Sequence, residues 1–118
     1  MTKLKTTSLE GSVLDWAVAH CKKKDNDIEI HAGNVLYGRV TSGFVHFRPS
    51  TNWSQGGPII EHEKLMLWYE TRYKKHGWRA KHENSAVVFY GSTPLIAAMR
   101  CYVASKLGDE IEIPEKLN

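Results

Sequence analysis

Residues 93–108, TPLIAAMRCYVASKLG, constrain this chain more than any other stretch. Thr93 supplies a capping oxygen, Pro94 the fixed φ of a first helical position, and Gly108 a stop. Between them Ile96, Met99, Val103 and Leu107 recur at helical spacing, with Tyr102 beside the stripe. A helix with so long an apolar stripe must be covered, and the rest of the chain has to supply the cover.

A second helix is expected over 13–22, where Leu14, Ala17, Val18 and Cys21 share a face. Ser12 and Asp15 stand in a capping-box-like arrangement at its start. Lys22, Lys23 and Lys24 suit its C-terminal end, where the macrodipole favours cations. From Ile28 the pattern changes to alternation. Ile28 and Ile30, Val35 and Tyr37, then Phe44, Val45 and Phe47 form short runs broken by glycine and asparagine, which predicts antiparallel strands joined by turns. LMLWYETRY at 65–73 fits both a strand and a helix face, and its aromatic content favours a strand. After a turn at Gly77, residues 87–90 (VVFY) are expected to form the most buried strand. The acidic tail around Pro114 (Asp109, Glu110, Glu112, Glu115) and residues 1–8 are expected to be loosely attached. The predicted fold is α+β: one domain over 1–118, with a small twisted antiparallel sheet and two main helices packed against it.

Composition excludes several classes. At 118 residues with 42% hydrophobic and 25% charged side chains, the chain has the makings of one ordinary core and none of the signature of disorder. Its net charge of +3 suits an anionic partner without demanding one. Cys21 and Cys101 lack zinc-site spacing and are read as reduced thiols facing helix interiors, the histidines form no HExxH or i, i+4 pair, and neither a metal nor a cofactor is expected. There is no P-loop and no nucleophile elbow. No apolar run reaches the roughly 18 residues that a membrane span needs, so a cytoplasmic protein is expected.

The candidate site is PSTNWSQGGPIIE at 49–61. Pro49 gives the chain a defined exit from the preceding strand, and Ser50, Thr51 and Asn52 can fold oxygens back onto local amides in a stiffened loop. Gly56 and Gly57 permit positive φ, and Pro58 suits the opening of a helical turn. Such a loop can cradle an anion, with the start of the 94–107 helix at Thr93 as a second set of amides and Trp53 stacking on a base. The expected ligand contacts are Thr51, Asn52, Trp53, Gln55, Gly56, Gly57, Glu61, Thr93 and Arg100, whose guanidinium fork could reach Glu61 or a phosphate. The partner class is a small anionic or nucleotide-like molecule. A plainer reading also stands: Gly-Gly-Pro as a tight turn and Trp53 as a lid on the core. Catalysis would rest on Glu61 as general base.

Two other surfaces compete. RYKKHGWRAKH at 72–82 interleaves Arg72, Lys74, Lys75, Arg79 and Lys81 with aromatics including Trp78, the combination that holds nucleic acid, although on a hairpin half of these would only be a solvated face. Alternatively Trp53 is a hot-spot anchor for a host protein or for a second copy of the chain.

LDWAVA at 14–19, STNWSQGGPIIE at 50–61, WRA at 78–80 and TPLIAAMRCYVASKLGDE at 93–110 together resemble the NinX-like family of tailed-phage and prophage proteins. The resemblance implies a small phage-borne accessory protein without assigned activity. The family pattern usually has an aspartate where Asn52 stands and an alanine where Ser54 stands, so a carboxylate is missing here from the centre of the candidate site. For a phage protein, tight binding of a host nucleotide signal would act by mass action without turnover.

Overall fold

The computed structural model describes residues 2–22, 26–39, 41–72 and 76–117. Its fold class is α+β, as the sequence predicts, but the strands divide among three small antiparallel sheets instead of one. The elements are β1 (Thr2–Lys5), α1 (Gly11–Cys21), β2 (Asp27–His31), β3 (Asn34–Arg39), β4 (Gly43–His46), α2 (Trp53–Glu63), β5 (Leu65–Glu70), β6 (Gly77–His82), β7 (Phe89–Gly91), α3 (Pro94–Leu107) and β8 (Glu110–Ile113). The sheets are β1-β8, β2-β3-β4 and β5-β6-β7.

α3 is the element around which the others are laid. Its bounds match the Thr93 cap and Gly108 stop, and the Thr93 hydroxyl accepts from the Ile96 N–H at 3.1 Å. Burial exceeds the expected stripe: Leu95 and the run from Ala97 to Val103 are all buried, because α1, α2 and β5–β7 pack on different sides. Alanines make this possible. Ala17, Ala97 and Ala98 are fully buried and let neighbouring backbones come close. At Gly91 the approach is closest, since a Cβ there would run into the backbone of Ala97.

Arg100 lies inside this packing, and its guanidinium reaches backbone carbonyls and not, as expected, Glu61. Its Nε donates to the Leu9 carbonyl at 2.7 Å and its Nη1 to the Tyr90 carbonyl at 2.9 Å. The fork thus fastens the N-terminal segment and β7 to α3. Burial lowers its pKa, and Glu10 partly offsets that.

Asp15 is likewise turned inward. α1 begins at Gly11 with Glu10 as its N-cap, so Ser12 and Asp15 form no capping box. The Asp15 carboxylate instead accepts from the Ser50 N–H at 2.9 Å and ties the 47–52 segment to α1. Burial raises its pKa against the hydrogen bonds from Ser50. At the other end of α1, the Tyr37 hydroxyl donates to the Lys22 carbonyl at 2.7 Å, while its ring stacks on Phe47 at 4.9 Å, which seats β2–β4 on this helix.

Three further expectations change. Residues 87–90 are not the most buried strand: β7 contains only Phe89–Gly91, and Val87 and Val88 are 60% and 45% exposed. The Lys81 ammonium collects carbonyls of His82, Glu83 and Ser85, and the chain reaches α3 only after that turn. The tail is tied down, since β8 pairs with β1 from Thr2↔Ile113 to Lys5↔Glu110, and the alternation EIEI sends Ile111 and Ile113 into the core. Residues 53–63 form a third helix, although Gly-Gly-Pro argues locally against one.

Two substitutions test these inward polar groups. Arg100→Ala is expected to lower the unfolding free energy by about 3 kcal/mol, and Arg100→Lys to recover only part, since an ammonium has no fork to span both carbonyls; urea denaturation measures both. Asp15→Ala is expected to cost about 1–3 kcal/mol, whereas Asp15→Asn keeps an acceptor for Ser50. The Asp15 carboxyl lies above its ordinary value of 3.8 in the folded chain, so the fold holds this proton longer than the unfolded chain does. Wild-type stability relative to Asp15→Asn should therefore be greatest below that value and fall as pH rises through the folded pKa. Denaturation midpoints from pH 3 to 7 follow the trend.

Candidate functional site

The segment before α2 is a tight turn. Thr51 N–H and Asn52 N–H both donate to the Arg48 carbonyl, at 3.1 and 2.9 Å. Asn52 is extended and caps α2: its Oδ1 accepts from the Ser54 N–H at 2.9 Å and from the Ser54 hydroxyl at 2.6 Å. Trp53 is therefore the first helical residue, and Pro58 lies inside the helix instead of opening it. Proline lacks the N–H that would reach the Ser54 carbonyl, but that carbonyl is in the exposed first turn, where water can replace the bond.

Gly56 and Gly57 are helical and form no anion nest, which corrects the loop-cradle expectation. Neither has positive φ, and the Gly56 N–H is spent on the Asn52 carbonyl at 2.9 Å. Their uses differ. A Cβ on Gly56 would lie 2.5 Å from the Pro49 carbonyl oxygen and 2.6 Å from Leu95 Cδ2, so this glycine sets how closely α2 approaches the start of α3; around Gly57 the space is open. Gln55 is a strut, its Oε1 accepting from the Arg48 N–H and its Nε2 donating to the His46 carbonyl, both at 2.7 Å. Glu61 is exposed farther along α2.

The close approach brings two helix starts together. Between them is a depression of about 210 Å³ lined by Ser50, Thr51, Trp53, Thr93, Pro94 and Ile96 among others. Of the predicted contacts, Thr51, Trp53 and Thr93 meet here and Asn52 caps the adjoining turn, while Gln55, Gly56, Gly57, Glu61 and Arg100 do not line it. Trp53 is 54% exposed at its rim, unlike a lid closed over the core. The first-turn amides of Trp53 and Leu95 have no carbonyl one turn back within their helices, and the dipoles of α2 and α3 both present their positive ends.

The alternative basic surface is divided. Lys74 and Lys75 lie outside the described residues. Arg72 pairs with Glu70 at 3.1 Å. Trp78 pairs in register with Tyr69 and Gly91, on the α3 side of its sheet, and meets Tyr69 edge-on at 5.3 Å. Arg79 and Lys81 share the opposite face.

A larger groove of about 630 Å³ escaped the sequence reading. It lies where the C-terminal parts of the three helices meet, lined by Cys21, Ile59, His62, Glu63, Tyr102 and Lys106 among others. Its carboxylate is already occupied: Glu63 accepts from His62 at 3.0 Å and pairs with Lys106 at 3.4 Å. Burial opposes the charged form of Glu63, and these two partners outweigh it to lower the pKa. Burial pushes Cys21 up to about 12 and Cys101 up to about 11, so neither thiol is an activated nucleophile near neutral pH. Among the described residues, no three His, Cys, Asp or Glu side chains are grouped to hold a metal ion, and no helix is long and apolar enough to cross a membrane.

Fold and site together define a small α+β protein with two helix starts converging beside an exposed tryptophan. The chain belongs to the family described as Bacteriophage P22, NinX, whose model matches residues 5–106, and is thus a phage-type protein. A search of curated proteins finds no match.

The two glycines of α2 offer a test of the helix approach. Gly56→Ala is expected to destabilise by about 1–3 kcal/mol through overpacking. Gly57→Ala should stabilise by about 0.5–1 kcal/mol, as alanine does at an unobstructed helix position. Thermal unfolding of the two variants should move in opposite directions.

Proposed function

We propose that this phage accessory protein binds a small phosphate-bearing, nucleotide-like molecule without turning it over, in the depression between the starts of α2 and α3. The observation that carries the reading is the convergence of those two helix starts beside Trp53. Each positive helix end favours an anion, and two bordering one depression favour a phosphate or diphosphate over a neutral ligand. About 210 Å³ suits that group and part of a sugar, leaving a base outside to stack on the half-exposed indole.

Binding without turnover fits the lining, which among the described residues includes no carboxylate, histidine or cysteine. General acid–base chemistry needs such a group within hydrogen-bond reach of the reacting atoms. A non-catalytic site can still serve a phage. A binder made in excess in the host cytoplasm lowers the free concentration of a nucleotide signal used in host defence, by mass action alone.

Native mass spectrometry of the protein isolated gently from phage-infected cells tests this reading. The expected spectrum carries a bound phosphate-containing mass that is released intact on denaturation, is lost in Trp53→Ala and is kept in Glu61→Gln. Isolation of the bare chain from infected cells, or a bound mass indifferent to Trp53, would count against it.

A further inference from the structure

The sheet β5–β7 lays one face on α3, and strand register decides what stands on the other. Directly paired residues point the same way. Leu67, Ala80 and Phe89 share a face, as do Trp68, Arg79 and Tyr90, with Met66 and Lys81 beside them. Ala80 is fully buried against α3, whereas Met66 is 46% and Tyr90 44% exposed, so the second set looks outward.

Trp68, Arg79 and Tyr90 form a row across three adjacent strands, which lie roughly 4.8 Å apart. The Arg79 guanidinium is 4.5 Å from the centroid of the Tyr90 ring. That ring also covers Gly77, where a Cβ would come within 2.5 Å of Tyr90 Cε2, so the tyrosine is seated across β6. On the other flank, the Trp68 indole N–H donates to Glu70 at 3.4 Å, and Arg72 closes on the same carboxylate at 3.1 Å. Arg72 thereby neutralises the acid of this face. The Lys81 ammonium, anchored on the Ser85 carbonyl at 3.1 Å, adds positive charge at the opposite end.

We propose that this open face is a stacking platform for single-stranded nucleic acid, with bases on Trp68, Arg79 and Tyr90 and phosphates drawn to Arg79 and Lys81. Unpaired bases expose the flat faces that an aromatic and guanidinium row accepts, and a duplex keeps those faces stacked. The charge favours a polyanion: once Arg72 has neutralised Glu70, the cations of Arg79 and Lys81 leave the face net positive. The platform shares no residue with the depression between α2 and α3, so the two proposals stand or fall separately.

Fluorescence anisotropy with a labelled twelve-nucleotide oligothymidylate is the test. Saturable binding is expected in 50 mM salt, with a slope of about −1.4 in log K against log salt for two neutralised phosphates. Tyr90→Ala and Arg79→Ala should each weaken binding about tenfold or more. Tyr90→Phe should bind like the wild-type chain, and Tyr90→Leu, which keeps bulk over Gly77 if alanine fails to fold, should lose affinity like alanine. Trp53→Ala should bind normally, and a duplex of equal length more weakly. No saturation in 50 mM salt overturns the proposal. So does binding that Trp53→Ala abolishes and the Tyr90 variants do not, which would place the strand at the helix ends. A dimer seen in sedimentation that Tyr90→Ala dissolves, without oligonucleotide binding, would assign the face to a second copy.

Discussion

α3 has to be covered on nearly every side, and the structure follows from how this is done. A helix buried along one stripe needs a single partner, but the run from Ala97 to Val103 needs several. Small residues meet that need by letting backbones approach: Ala97 receives β7 at Gly91, and Leu95 receives α2 at Gly56. Enclosure this extensive leaves an arginine on the helix little access to water, so Arg100 finds two backbone carbonyls instead. A group that reads as a candidate ligand contact becomes a clamp between the N-terminal segment and β7.

The same close packing produces the candidate site. α2 starts beside α3 because Gly56 has no side chain to hold it off, and Gln55 and Asp15 hold the chain entering α2 from either side. The depression is therefore walled by first-turn residues whose positions are set by contacts behind them. A ligand there would meet an electrostatic field already in place, without having to order a loop.

Local signals were legible where local physics decides. Thr93, Pro94 and Gly108 bracket α3 because capping depends on residues a few positions away, and Thr51, Trp53 and Thr93 emerge as neighbours because helix starts and exposed tryptophans carry recognisable chemistry. α2 was not legible as a helix, since Gly-Gly-Pro disfavours one and the compensation comes from Pro49 and Leu95, outside its own window. The role of Gln55 lies in carbonyl and amide groups of a preceding strand end, and that of Arg100 in a carbonyl 91 positions away. Burial of residues 87–90 was overestimated because hydrophobicity alone does not reveal where an edge strand leaves its helix.

The pairing of β1 with β8 has a consequence for how the chain comes to be folded. Thr6 and Asp109, joined by the Thr6 hydroxyl and amide at the edge of this ribbon, are 103 positions apart. During synthesis the first strand emerges long before its partner, so Leu4 and Thr6 must wait unpaired while the helices and the two three-stranded sheets assemble from nearer contacts. The ribbon is then the closing step, and Ile113 enters the core only once β8 has left the ribosome. A ribosome stalled inside α3 would hold a chain with its first strand exposed, a species recognisable to proteases and chaperones that the finished molecule no longer presents.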